Sequence, residues 1–130
     1  MVQANELRIG NMVYKSLKSG QGRTVINPIG CQDIVRIFED IGSFNYAPIP
    51  ITEDILLKCG FEKHSNSNEF WNLYTLKNGW YISQALHIED SAGVNFGCFY
   101  WSGEFIEIKH LHQLQNLFFC LCGKELEISL

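Results

Sequence analysis

Alternating apolar and polar positions in the second half of the chain predict a run of antiparallel strands. Residues 70–76 and 80–86 flank Lys77-Asn78-Gly79, and Asn-Gly between two such segments is a strong hairpin signal. Residues 94–101 and 104–109 flank Ser102-Gly103 and predict a second hairpin. The polar segment 89–93 joins the two, so the sequence predicts a four-stranded meander.

Two other segments carry the signals of helices. A two-turn helix is expected after the prolines at positions 48 and 50, with Thr52 as its N-cap and Gly60 as its left-handed end. A longer helix is expected from about His110 to Cys122, closed by Gly123. One face of it carries the apolar residues Leu111, Leu114, Leu117, Phe118 and Leu121, opposite His112, Gln113 and Asn116. We expect this apolar face to cover the meander, and the alternation over residues 125–130 predicts a final edge strand.

β-branched and aromatic residues also cluster in three short segments of the N-terminal part. Residues 12–14, 23–26 and 32–38 are separated by turns that contain glycine or proline, which predicts a small β-module. Its start, Ile9-Gly10-Asn11-Met12-Val13, resembles the first strand of SH3-like barrels, which implies a partial barrel. The expected fold is therefore one α+β domain. The β-module spans residues 1–47, and residues 48–130 hold the short helix, the antiparallel meander, the C-terminal helix packed on one face, and the edge strand.

The composition is that of an ordinary globular chain. Hydrophobic residues make up 46% and charged residues 18% of the 130 positions, which is enough apolar material for a packed core. The longest apolar run, residues 117–122, is far shorter than the ~18 residues of a membrane span, and the N-terminus lacks a signal-peptide pattern. We expect a cytoplasmic protein that does not bind membranes and needs no cofactor.

The distribution of charge bears on nucleic-acid binding. The net charge is −4, which disfavours a broad phosphate-binding surface. Residues 1–47 nevertheless carry five basic and four acidic side chains, and the remaining residues carry most of the acids. One hypothesis is that this module binds nucleic acid through its basic side chains, Arg8, Lys15, Lys18, Arg23 and Arg36.

Candidate catalytic and metal-binding groups form no recognisable pattern. His110 and His112 would face the same way only in extended backbone, and no third metal ligand stands near them at a recognised spacing. The five cysteines include no C-x-x-C pair, so a disulfide framework is not expected. We predict no catalytic residue and no metal site, with the two histidines facing solvent or capping the helix.

Aromatic residues are dense on the predicted strands, with nine of them between positions 70 and 101. Phe96 and Tyr100 share one face of their strand and Phe99 and Trp101 the other, so burying one pair exposes the second unless another layer covers it. Phe119 lies beside the apolar face of the last helix and also needs a covering group. Packing within the chain, a protein interface or a ligand platform would cover these rings. The predicted protein-binding residues are Phe99, Trp101 and Phe119.

Three blocks of the sequence together carry a resemblance to a family. They begin with Asn5-Glu6-Leu7-Arg8-Ile9-Gly10-Asn11, Pro48-Ile49-Pro50-Ile51-Thr52 and His112-Gln113-Leu114-Gln115-Asn116. In combination they resemble small uncharacterised proteins of anaerobic gut-type bacteria and their prophages. The resemblance implies a mobile-element or accessory setting and supplies no catalytic or binding residues.

These observations leave three functional hypotheses of different classes. The first is a non-catalytic protein-binding or assembly module, whose partner is another protein or a second copy of the chain. The second is nucleic-acid binding through the N-terminal β-module. The third is a small-molecule-binding protein or small enzyme with an aromatic pocket.

Overall fold

A computed structural model describes residues 2–65, 67, 71–77, 79–86, 97–101 and 106–129. It contains antiparallel sheets and helices, which confirms the α+β class. The chain divides into two compact units. Unit 1 combines Met1–Pro50 with His110–Leu126, and unit 2 combines Ile51–Lys109 with Glu127–Leu130.

The sheet of unit 1 has three antiparallel strands in an open arrangement. They are β1 (Met12–Leu17), β2 (Val25–Pro28) and β3 (Phe44–Ala47), and the order β2-β1-β3 places β1 in the middle. Val13, Ile29, Tyr46 and Val2 form its buried core. The predicted strands over 12–14 and 23–26 therefore correspond to β1 and β2, in an open sheet that lends no support to an SH3-like partial barrel.

The segment 32–38, predicted as a strand, is helical and corrects that prediction. Helix α1 spans Cys31–Glu39 and ends at Asp40, whose φ of 51° is left-handed. The Asp33 carboxylate accepts a hydrogen bond from the Gly30 N–H at 2.9 Å, which satisfies a free donor at the helix start. Ile34 and Ile37 pack against the core of unit 1. Capping and packing thus outweigh the strand preference of the β-branched residues.

The predicted C-terminal helix is present as α3, Leu111–Cys122, with His110 as N-cap and a left-handed Gly123 at its end. It belongs to unit 1 and contacts β1 there. Gln115 accepts a hydrogen bond from the Met12 N–H at 2.8 Å and donates one to the Gly10 carbonyl at 3.3 Å. A buried amide therefore ties the helix to the start of β1.

The buried side of α3 also differs from the predicted apolar face. Leu111, Leu114 and Phe118 are buried as expected, but Leu121 is 53% exposed. His112 and Gln115 take part in the buried side instead. Because these polar residues face the protein interior, apolar periodicity alone could not orient the helix.

Unit 2 contains the predicted meander, extended by one strand. Its strands run in sequence order as β4 (Glu62–Lys63), β5 (Trp71–Thr75), β6 (Tyr81–Ala85), β7 (Phe99–Trp101) and β8 (Ile106–Ile108). Antiparallel pairing of β5 with β6 and of β7 with β8 confirms both predicted hairpins. Asn78 and the Ser102-Gly103 turn lie outside the described residues.

The short helix of unit 2 forms as its caps predict. Helix α2 spans Glu53–Lys58, and the Ile55 N–H donates to the Thr52 hydroxyl at 3.3 Å. Gly60 follows with a φ of 90°, the left-handed conformation that glycine favours. Ile51, just before the N-cap, and Leu56 are both buried, and they occupy the two positions of a hydrophobic staple.

The final segment does not form the predicted edge strand. Residues 125–129 have no regular secondary structure, and Leu130 lies outside the described residues. Leu126 is buried, while the Ser129 N–H donates to the Lys58 carbonyl at 2.8 Å. Alternating apolar residues without a neighbouring strand to pair with do not make a strand.

Candidate protein-binding surface

The aromatic side chains of β7 are buried on both faces of the strand. Phe99 and Trp101, predicted to contact a partner, are only 7% and 5% exposed. Trp101 packs edge-on against Trp80 with ring centroids 5.1 Å apart, and Phe99 lies 6.1 Å from Tyr74. Tyr100, on the opposite face, is buried as well. Packing within the chain therefore covers the rings of Phe99, Tyr100 and Trp101, whereas Phe96 lies outside the described residues.

Phe119 lies at the edge of α3, as the sequence predicts, and is 38% exposed. The Arg8 guanidinium carbon lies 4.2 Å from the centre of its ring, within the range of a cation–π contact. Arg8 also pairs with Glu125 and bonds to the Asn116 side chain at 3.2 Å. Hydrogen bonding to Arg8 lowers the pKa of Glu125. One face of the Phe119 ring is thus covered from within unit 1.

Most of the basic side chains proposed for nucleic-acid contact face carboxylates instead. Four of the five form ion pairs: Arg8 with Glu125, Lys15 and Arg36 with Asp33, and Lys18 with Asp40. Arg23, the fifth, is exposed. Burial alone would raise the pKa of Asp33, but hydrogen bonds from Gly30 and Tyr46 and the charge of Lys15 lower it overall. Asp33 is therefore charged at neutral pH, and these pairs reduce the positive potential that phosphate binding requires.

The two histidines near the start of α3 lie together. Their rings are stacked, with centroids 5.6 Å apart and planes 8° from parallel. His112 is 1% exposed, which corrects the expectation that it faces solvent, and its Nε2 lies 3.7 Å from a Glu6 carboxylate oxygen. Burial lowers the pKa of His112; Glu6 opposes this shift and His110 adds to it. Among the described residues no group of three side chains is arranged to hold a metal ion.

A cleft in unit 2 offers little support for catalysis. It has a volume of about 280 Å³ and is lined by residues that include Cys98, Phe99 and Glu107. Burial raises the pKa of the Cys98 thiol, and Glu107 raises it further. A thiol with a raised pKa is a poor nucleophile at neutral pH. The described part of the cleft wall also contributes one aromatic ring, Phe99, which is much less than the aromatic pocket of the third hypothesis.

The largest exposed aromatic surface among the described residues belongs to α1. Phe38 is 80% exposed and Val35 is 50% exposed, and Cys31 is exposed at the helix start. The spacing of these three residues, i, i+4 and i+7, places them on one side of the helix. We call this set (Cys31, Val35 and Phe38) the α1 stripe. Its centre lies about 100° around the helix from the midpoint between Ile34 and Ile37, which face the core.

Sequence reasoning missed the α1 stripe because it assigned this segment to a strand. Alternation in a strand would place Val35 and Phe38 on opposite faces. The helical signal was nevertheless present: apolar residues at 31, 34, 35, 37 and 38 follow a helical period, and Gly30 precedes an acid at the third helical position.

Comparisons with known proteins add no assignment. No protein-family model and no curated protein matches the sequence, and no solved structure matches the fold. Among the described residues, no helix combines the length and apolar character required to cross a bilayer.

Proposed function

We propose that this protein is a non-catalytic binding or assembly module that contacts another protein through the α1 stripe. The observation that carries the proposal is Phe38, an aromatic side chain left 80% exposed on a regular helix. Aromatic anchors of this kind dominate the energetics of protein interfaces. Burying such a side chain contributes roughly 1.5 to 3 kcal/mol.

The spacing of the side chains in the α1 stripe also suits docking of α1 into an apolar groove of a partner. Three apolar side chains at i, i+4 and i+7 are the spacing by which amphipathic helices engage apolar grooves. The same helix is anchored on its other side, where Ile34 and Ile37 pack against the core of unit 1. Because the helix is held in place before binding, contact costs little ordering entropy.

The expected setting is the cytoplasm, where thiols such as the exposed Cys31 stay reduced. The resemblance of three sequence blocks to proteins of gut-type bacteria and their prophages extends this proposal to an accessory role in a mobile element. The genes beside this one test that extension, since neighbouring structural, replication or lysis genes would support it and a core metabolic operon would contradict it.

Site-specific photo-crosslinking tests the proposed surface. Phe38 is replaced by the photoreactive p-benzoylphenylalanine, and the protein is irradiated in a lysate of the organism that encodes it. We expect one discrete crosslinked product whose partner mass spectrometry identifies. The matched control carries the same amino acid at Leu121, which is also well exposed in unit 1. Equal crosslinking from both positions, or none from position 38, would overturn the proposal.

A further inference from the structure

We infer that the 3-10 turn Ala4–Glu6 is a pH-sensitive latch on α3. In mild acid the turn leaves the helix, and the buried His112 side chain becomes accessible to water. This inference does not depend on the proposed function. Three observations support it: the unsatisfied ring of His112, the charges that face that ring, and the light attachment of the turn.

The His112 imidazole is buried without the hydrogen bonds that usually accompany a buried polar group. It is 1% exposed, and neither ring nitrogen has a hydrogen-bond partner among the described residues. The Glu6 carboxylate lies 3.7 Å from Nε2, which is longer than a hydrogen bond. A buried ring without partners is much more costly when it is charged than when it is neutral. Protonation of His112 therefore favours a state in which this ring contacts water.

The groups that face His112 leave burial as the dominant influence on its proton. Burial lowers the pKa of His112 below its ordinary 6.5, while Glu6 opposes this shift and His110, whose ring is stacked on it, adds to it. These two are the titratable side chains that act on His112 among the described residues. The Glu6 side chain is 43% exposed, so water screens its attraction. As the pH falls below 6.5, the closed arrangement therefore loses stability relative to an open one.

The turn that carries Glu6 is lightly attached to the rest of unit 1. It lies against α1, but none of its three residues is buried, so its release gives up little apolar burial. The Asn116 side chain donates to the Glu6 carbonyl at 3.1 Å in an exposed position, where water can replace the bond. Val2 and Leu7, on either side of the turn, belong to the core of unit 1. The flanking chain can therefore stay in place while the turn opens.

Hydrogen exchange of the full chain, measured by mass spectrometry, tests the inference. The amides of Glu6 and Leu7 bond to the carbonyls of Gln3 and Ala4, so their protection factors report opening of the turn. Between pH 7 and 5 these factors should fall at least threefold, with an upper bound of about tenfold per pH unit for a single proton. In His112→Leu they should change by less than about twofold. A fall of equal size in both chains, or none in the parent, would overturn the inference.

A second measurement distinguishes local release from unfolding of unit 1. Amides of β1 should stay better protected than those of the turn, and ~1 M urea should leave exchange of the turn almost unchanged, because a local opening exposes little surface. Turn amides that exchange as slowly as those of β1 and accelerate in urea would show global unfolding and overturn the latch. Far-UV circular dichroism confirms that each variant is folded, and His112→Gln replaces His112→Leu if that variant is not.

Two substitutions with opposite expected effects test the geometry around His112. Glu6→Gln removes the attractive charge but keeps an oxygen that can accept from the Gln3 N–H, so release should require a lower pH. His110→Leu removes the repulsive charge, so release should begin at a higher pH. Glu39→Gln, which removes an exposed carboxylate that does not act on His112, is the matched control and should leave the transition unchanged. Shifts of the same sign for the first two variants would overturn the inference.

Discussion

A buried asparagine connects the N-terminal turn of unit 1 to α3, and its removal should cost more than the loss of the nearby ion pair. Asn11 is fully buried. Its side-chain oxygen accepts a hydrogen bond from the backbone N–H of Arg8 at 2.6 Å. Its side-chain amide donates to the side-chain oxygen of Asn116 at 2.8 Å. Asn116 in turn donates to the Glu6 carbonyl at 3.1 Å. Asn11 is thus the central member of this network.

The expected loss in the free energy of unfolding follows from the hydrogen bonds that Asn11→Ala removes. The part-buried backbone N–H of Arg8 loses its acceptor, and leaving such a donor unsatisfied costs roughly 1 to 3 kcal/mol. The Asn116 oxygen keeps its bond from the Arg8 side chain, so the second lost bond costs about 1 kcal/mol. The free energy of unfolding should fall by about 2 to 4 kcal/mol. Glu125→Ala removes a partly exposed ion pair, and such pairs contribute at most about 1 kcal/mol.

Urea unfolding followed by far-UV circular dichroism measures both effects. Helices α1 and α3 belong to unit 1, whereas Trp71, Trp80 and Trp101 all belong to unit 2, so the helical signal reports the relevant unit better than tryptophan fluorescence does. At about 2 kcal/mol per molar urea, Asn11→Ala should lower the midpoint by ~1 to 2 M and Glu125→Ala by less than ~0.5 M.

The matched control is Asn45→Ala, which removes an exposed asparagine from β3 in the same unit. It should change the free energy of unfolding by less than about 0.5 kcal/mol. Equal midpoints for Asn11→Ala and Asn45→Ala would refute the argument that buried hydrogen bonds hold the N-terminal turn on α3. A larger shift for Glu125→Ala than for Asn11→Ala would show that the ion pair dominates instead.

Three further predictions concern single groups. Thr52→Ala removes the N-cap of α2 and should lower the free energy of unfolding by about 1 kcal/mol in urea titrations, whereas Thr52→Ser should restore it. Burial lowers the pKa of His112 below its ordinary 6.5, so the unfolded chain binds the proton more tightly. The free energy of unfolding should therefore fall as pH drops from 7 to 5, and the fall should be smaller in His112→Leu if this histidine causes it. Burial raises the pKa of Cys59 to about 12, so a thiol reagent should modify the exposed Cys31 quickly and Cys59 only after unfolding.

The elements that the sequence predicts correctly are those whose signals act over a few residues. Thr52 caps α2 by a contact three positions away, and Gly123 ends α3 through its own backbone conformation. The β5–β6 hairpin follows from a turn and two flanking alternations. Each of these signals depends on contacts between residues close in sequence, so packing against the rest of the fold has little effect on the element that forms.

The errors concern segments whose structure depends on distant partners. The sequence did not predict that Gln115 and His112 lie on the buried side of α3, because an apolar periodicity does not register their polar contacts within unit 1. In α1, β-branched residues favour a strand locally, and the helix forms because Ile34 and Ile37 meet a core built from other segments. The candidate site was missed for the same reason, since its residues share a face only in a helix.

Phe119 and Leu121, two exposed apolar residues of α3, differ from the α1 stripe in their surroundings. Phe119 has a guanidinium over its ring, and Leu121 is a single leucine at the end of a helix; isolated apolar residues of this kind are common on protein surfaces and need no partner. The stripe differs because its three side chains are aligned on a helix that already packs the partly buried Ile34 and Ile37 against the core on another side. Its exposed apolar surface cannot be buried by rotating the helix, since rotation would expose the residues that hold it. A partner at this face therefore adds burial without disturbing the core of unit 1, and that makes Phe38 the most informative position at which to look for one.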